Sequence, residues 1–164
     1  MDYKFVKKTI DVENATIIWK NFAGKPDKYN AAGGKRTFTV LFDEAFGQQL
    51  AEDGWNIGFL EPREPGDPTK AKLQVQVSFK NIPPRVVLIS GDKQENLDED
   101  TVSMLDWIEI ENVDVIIQPY NWVMNEGTKN EKRGVSAYLK AIYVTSVVDT
   151  FAAKYGEVRS RDNI

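Results

Sequence analysis

The 164-residue chain has no histidine and no cysteine, and these absences remove most of the usual catalytic chemistry. Histidine is the commonest general base and transition-metal ligand. Without it, Ser-His-Asp triads, zinc hydrolysis and zinc deamination are excluded. Without cysteine there are no disulfides, thiolate metal sites or thiol nucleophiles. An enzyme would be left with carboxylate chemistry, with or without magnesium, so the expectation is a non-enzymatic protein with no cofactor and no metal. No apolar run approaches the roughly 20 residues needed to span a bilayer. The N-terminal "MDYKFVKKTIDVENATII" lacks the continuous apolar stretch and small-residue cleavage site of a secretory signal. A cytoplasmic location without membrane contact is expected.

What is present is period-two alternation. "KLQVQVSFK" (72–80) sets Leu73, Val75, Val77 and Phe79 against Gln74, Gln76 and Ser78. "KRTFTVLF" (35–42) does the same with Phe38, Val40 and Phe42 against Thr37 and Thr39. Segments 15–22, 85–90, 107–123 and 134–147 complete a set of strands separated by glycine and proline clusters, the pattern of an antiparallel β domain. Asn112 breaks the alternation between Ile110 and Val113, which predicts a β-bulge. Two helices are expected, 43–54 capped by Asp43 and 97–107 starting at Asp98 with acids in its first turn. Segments 23–36, 61–72 and 125–134 read as long connecting loops.

Charge is segregated along the chain. The net charge is −4, yet residues 92–114 hold nine acids against Lys93 alone. Residues 19–42 and 127–140 carry local charges of +4 and +3. Net charge governs solubility, whereas basic loops govern what docks. Basic loops beside aromatic strands suit an unpaired nucleic acid, with cations tracking phosphates and rings stacking on bases. Trp19, Phe38 and Phe42 read as core, while Tyr29, inside the loop, reads as a stacking residue. Trp122 is open to two readings, stacking on a base or capping a barrel.

Other motifs fail. "GGKRT" lacks the glycine a phosphate loop needs at position 29, and Arg36 stands where Ser or Thr should. "NAT" (14–16) is a chance match to a glycosylation acceptor in a chain read as non-secretory. Asp98, Glu99 and Asp100 are better explained by helix capping than by magnesium.

The phrases "NFAGK…NAAGGKRTFTVLFDEAFGQQLAEDGWNIG", "LDWIEIENVDVIIQPYNW", "GVSAYLKAIYVT" and "FAAKYG" resemble those of the single-stranded DNA-binding proteins of tailed bacteriophages, over roughly residues 12–155. The resemblance implies an OB-fold and sequence-tolerant binding of single-stranded DNA in phage replication or recombination, within the host cytoplasm. Replication or recombination proteins and a second copy of the chain are further possible partners. Such proteins often end in an acidic tail, whereas "YGEVRSRDNI" is nearly neutral. The expected fold is mainly β, an OB-fold-like antiparallel barrel with two short helices and long β-β loops. It forms one domain over 1–156, followed by a short tail, 157–164. Expected phosphate contacts are Lys20, Lys25, Lys28, Lys35, Arg36, Lys129, Lys132 and Arg133, with Lys72 and Lys80 as further candidates. Phe22, Tyr29 and Trp122 are the expected stacking residues. The two basic hairpin tips are expected to converge over one concave sheet. The alternative is an acidic DNA mimic, an inhibitor of a host protein with no DNA affinity.

Overall fold

The computed structural model describes residues 5–26, 28, 31–80 and 82–147. In chain order the elements are β1 (Ile10–Val12), β2 (Thr16–Asn21), β3 (Arg36–Asp43), α1 (Glu44–Glu52), β4 (Gly58–Leu60), β5 (Lys70–Val77), β6 (Arg85–Ser90), β7 (Lys93–Leu97), a 3-10 turn (Val102–Asp106), β8 (Ile110–Met124) and β9 (Lys132–Ser146). Among the described residues no helix is long and apolar enough to cross a membrane. Tyr29 and the boundary at 156/157 lie outside the described residues.

Alternation does the folding. In β5, Ala71, Leu73, Val75 and Val77 are buried while Lys72, Gln74 and Gln76 face away from the core. The in-register partners Phe38, Val40 and Phe42 of β3 are buried on the same face. In β8 the buried set is Val113, Val115 and Ile117, matched on β9 by Val144, Ile142 and Leu139. All of these join one hydrophobic core. α1 starts where the sequence predicts it: the Asp43 carboxylate accepts from the Phe46 N–H at 2.7 Å. The bulge expected near Asn112 is present, since Ile110 and Asn112 face consecutive β9 residues, Ser146 and Thr145.

Three expectations need correction. The sheet is mixed rather than antiparallel, because β9 has β8 antiparallel on one side and both β5 and β6 parallel on the other. The segment 97–107 is not an α-helix. Leu97 closes β7, and the Asp98 carboxylate then takes the N–H groups of Asp100 and Thr101, leaving only a 3-10 turn from Val102. The short strands β1, β4 and β7 were not anticipated; β7, "KQENL", is exposed at four of five positions and carries no alternation to read.

As a hydrogen-bonded ladder the sheet is open, in the order β1-β8-β9-β5-β3-β2. Its end strands are consecutive in the chain. The Ala15 N–H still bonds the Val113 carbonyl of β8 at 2.7 Å, and Thr16 is already paired with Leu41 of β3.

Candidate nucleic-acid interface

The outward face of β2, β3 and β5 forms a groove of about 750 Å³. Thr37, Thr39 and Gln74 form its floor, Asn56 to Gly58 one wall, and Trp19, Lys28 and Lys72 carry its ring and charges. The placement of Trp19 depends on a backbone irregularity. Ile18 pairs with Thr39 and Asn21 with Thr37, so Trp19 and Lys20 together face the single residue Phe38. Trp19 absorbs the extra residue in the left-handed region, φ +52°. Its indole is consequently 60% exposed rather than in the core where alternation put it. The Lys72 ammonium lies over that ring, 5.4 Å from its centroid. Gly58, paired with Lys72, makes this possible: a Cβ there would stand 2.7 Å from Lys72 Cε. Lys72, a secondary candidate by sequence, is therefore central.

The same face continues across the sheet. Thr37 pairs with Gln76, Gln76 with Tyr138, and Tyr138 with Gln118. Tyr120, 58% exposed, meets Tyr138 edge-on at 5.9 Å. Trp122 shares the outward parity of Tyr120 and lies over Gly134, where a Cβ would come within 2.4 Å of its ring. Trp122 thus lies on the sheet's outer face and does not cap the core.

Several expected contacts are used inside the fold. Phe22 is fully buried and stacked on Phe38 at 5.2 Å, which leaves no face for a base. Lys20 donates to the Leu105 carbonyl at 2.9 Å, tying β2 to the 3-10 turn. Arg36 turns toward Glu99, 3.7 Å from its carboxylate, and lies over Phe79. Arg133 pairs with Glu131 at 3.5 Å and lies over Phe5. The Glu131 carboxyl is held below the ordinary glutamate range, first by the Gly127 N–H it accepts and then by Arg133. Lys80 is exposed beyond the end of β5, outside the groove, and Lys35 is exposed at the end of the β2–β3 loop. Lys129 and Lys132 are exposed at the β8–β9 tip.

The two basic tips do not converge. β3 is antiparallel to β5, so the β2–β3 loop meets the sheet where Arg36 faces Val77. β9 is parallel to β5 with Ala137 level with Val75, so its start at Lys132 lies toward the Lys70 end. The tips flank the face from opposite ends of the strands.

The neck of the β2–β3 loop is tied by hydrogen bonds to Asp106, Asn21 and Gly24. The Asp106 carboxylate accepts from the Phe22 and Ala23 N–H groups, each at 2.9 Å. The Asn21 amide accepts from the Lys25 N–H and donates to its carbonyl, and the Gly34 N–H donates to the Gly24 carbonyl at 2.7 Å. Asp114 likewise accepts from the Asn14 N–H. Asp98, Asp106 and Asp114 of the acidic segment are thus engaged with backbone donors. Among the described residues no acidic group is arranged to hold a metal.

Trp19, Tyr120 and Tyr138 are outward-face rings that sequence reading did not assign to the candidate site. The parity of Tyr120 was available, because buried Val113, Val115 and Ile117 leave the even positions outside. Nothing in the sequence marks the left-handed residue at Trp19.

No curated protein matches the chain by sequence. Among solved structures it is similar to the single-stranded DNA-binding protein from bacteriophage Enc34 in complex with ssDNA, with a TM-score of 0.53 and 14% identity over 86% of this chain and 88% of that one. Another structure of the single-stranded DNA-binding protein from bacteriophage Enc34 gives a TM-score of 0.51 and 13% identity over 86% of this chain and 82% of that one. The family model described as "Putative phage ssDNA-binding domain" matches residues 2–164, and the chain belongs to that family.

Proposed function

We propose that this protein binds single-stranded DNA, without catalysis, along the outward face from the Trp19 groove to the Tyr120–Tyr138 pair. In this reading the bent β1–β2 segment joins the two ends of the ladder, and the sheet is an OB-fold barrel whose ligand crosses the β3–β5 surface. Bases stack on Trp19 and on the outward aromatic row, while Lys28 and Lys72, with Lys129 and Lys132 at the far tip, take phosphates. The exposed indole beneath the Lys72 ammonium, in the groove, carries the proposal. A base on that ring displaces the lysine toward the adjoining phosphate, so one substitution supplies both interactions.

Stacking on rings and pairing of lysines with phosphates are sequence-tolerant, which suits coating of unpaired strands during phage replication or recombination. An acidic DNA mimic is disfavoured because the chain belongs to a family of phage ssDNA-binding domains. Anisotropy of a labelled oligothymidylate across a salt series tests the reading. Four phosphate contacts give a log–log slope of about −3. Salt-independent binding, or preference for duplex, would overturn it.

A further inference from the structure

A second ring stands outside the groove. Trp107, at the end of the 3-10 turn, is 66% exposed, and the Lys25 ammonium lies 4.1 Å from its ring centroid. Its packing does not explain its presence there, since most of the indole faces water. Both partners are held by backbone contacts that do not involve the ring. The Asn21 amide grips the N–H and carbonyl of Lys25 at 2.9 and 3.0 Å. Asp106 and Lys20 fasten the 3-10 turn to the loop neck. Asn21 also lines the groove, and Lys28, three residues beyond Lys25, does too. Two ring-and-ammonium pairs thus adjoin the neck of the β2–β3 loop, Trp19 with Lys72 in the groove and Trp107 with Lys25 outside it.

We infer that Trp107 and Lys25 form a second stacking subsite, reached by single-stranded DNA that leaves the groove around the loop neck. The inference rests on the binding reading above. A base occupies the exposed indole, and Lys25 shifts to its phosphate. Glu109 is exposed nearby, so the subsite draws on stacking and on Lys25 rather than on a broadly positive surface.

Oligothymidylates of about 4 and about 16 nucleotides, the range of OB-fold site sizes, separate the two sites. Trp107→Ala should bind the short oligomer as the parent does and lose about fivefold or more on the long one. Trp19→Ala should weaken both. Trp107→Phe should keep most long-oligomer affinity. In the Trp19→Phe/Trp122→Phe double variant, emission comes from Trp107 and the buried Trp55; the long oligomer should quench it and the short one should not. If Trp107→Ala matches the parent at both lengths while Trp19→Ala is weakened, the second subsite is wrong and the groove stands. If the parent binds neither oligomer, the binding reading fails and the subsite with it.

Discussion

Two substitutions at Trp19 separate the backbone's role from the ring's. A non-glycine residue at φ +52° sits in a region that costs an L-amino acid roughly 1–2 kcal/mol. Strain of this kind persists where something else selects for it. Trp19→Ala and Trp19→Gly remove the same indole and the same partial packing, so those losses cancel between them. They differ in how the backbone accepts the bulge: alanine keeps the left-handed strain, whereas glycine does not. Glycine's larger unfolded-state freedom offsets part of the gain, leaving Trp19→Gly about 1 kcal/mol more stable than Trp19→Ala. In a chain of this size that is about 2–4 °C in Tm. Binding should not follow stability. Both variants should lose about 1–3 kcal/mol of oligonucleotide affinity, or roughly 5- to 150-fold, because neither has a ring. Thermal unfolding and anisotropy on the same samples read the two effects. Equal melting temperatures would refute the left-handed bulge, and parental affinity in Trp19→Gly would refute the stacking role.

Gly58→Ala places a methyl group at 2.7 Å from Lys72 Cε and should swing that flexible side chain off Trp19 without unfolding the sheet. The salt slope should shrink by about 0.7 and affinity should drop about two- to fivefold, as in Lys72→Ala; an unchanged slope would show that the lysine's position is immaterial. Asp106→Ala strips two charge-assisted bonds from the loop neck and should cost about 1.5–3 kcal/mol in urea unfolding, with Asp106→Asn intermediate. Because the Glu131 pKa is lowered in the folded state, its contribution is fully present above about 4.3 and is lost as pH falls through the lower folded value. The Gly127 amide shift in NMR should titrate with a midpoint below that of a free glutamate, and should stop titrating in Glu131→Gln.

Much of the fold was legible because burial and alternation coincide. In "KLQVQV" every second residue is apolar, and the outward glutamines and Lys72 followed from parity alone. The same rule misled at "ATIIWKNF", where one residue in the left-handed region shifts the phase. It sends Trp19 out and leaves Phe22 in the core, the reverse of the roles that charge and neighbours suggested. Segment 97–107 was misread for a related reason. Acids near a chain turn favour a helix N-terminus, but they equally favour side-chain turns that take backbone N–H groups locally, as Asp98 does. Parallel pairing of β9 with β5 and β6 was not legible, because strand order depends on tertiary packing of faces that look alike in sequence.

The arrangement also explains how a chain of net charge −4 can receive a polyanion. At about 0.1 M salt, charges more than about 10 Å apart are largely screened, so the strand responds to what lines its path rather than to the total. Along the groove that lining is Lys28, Lys72 and neutral amides and hydroxyls. Asp98, Asp106 and Asp114 accept from backbone N–H groups, and Asp106 does so at the loop neck. Acidity therefore works as a structural resource on one side of the chain while the basic loops address the ligand. A substitution that removes the Asp106 carboxylate should loosen the neck even though it makes the chain less acidic.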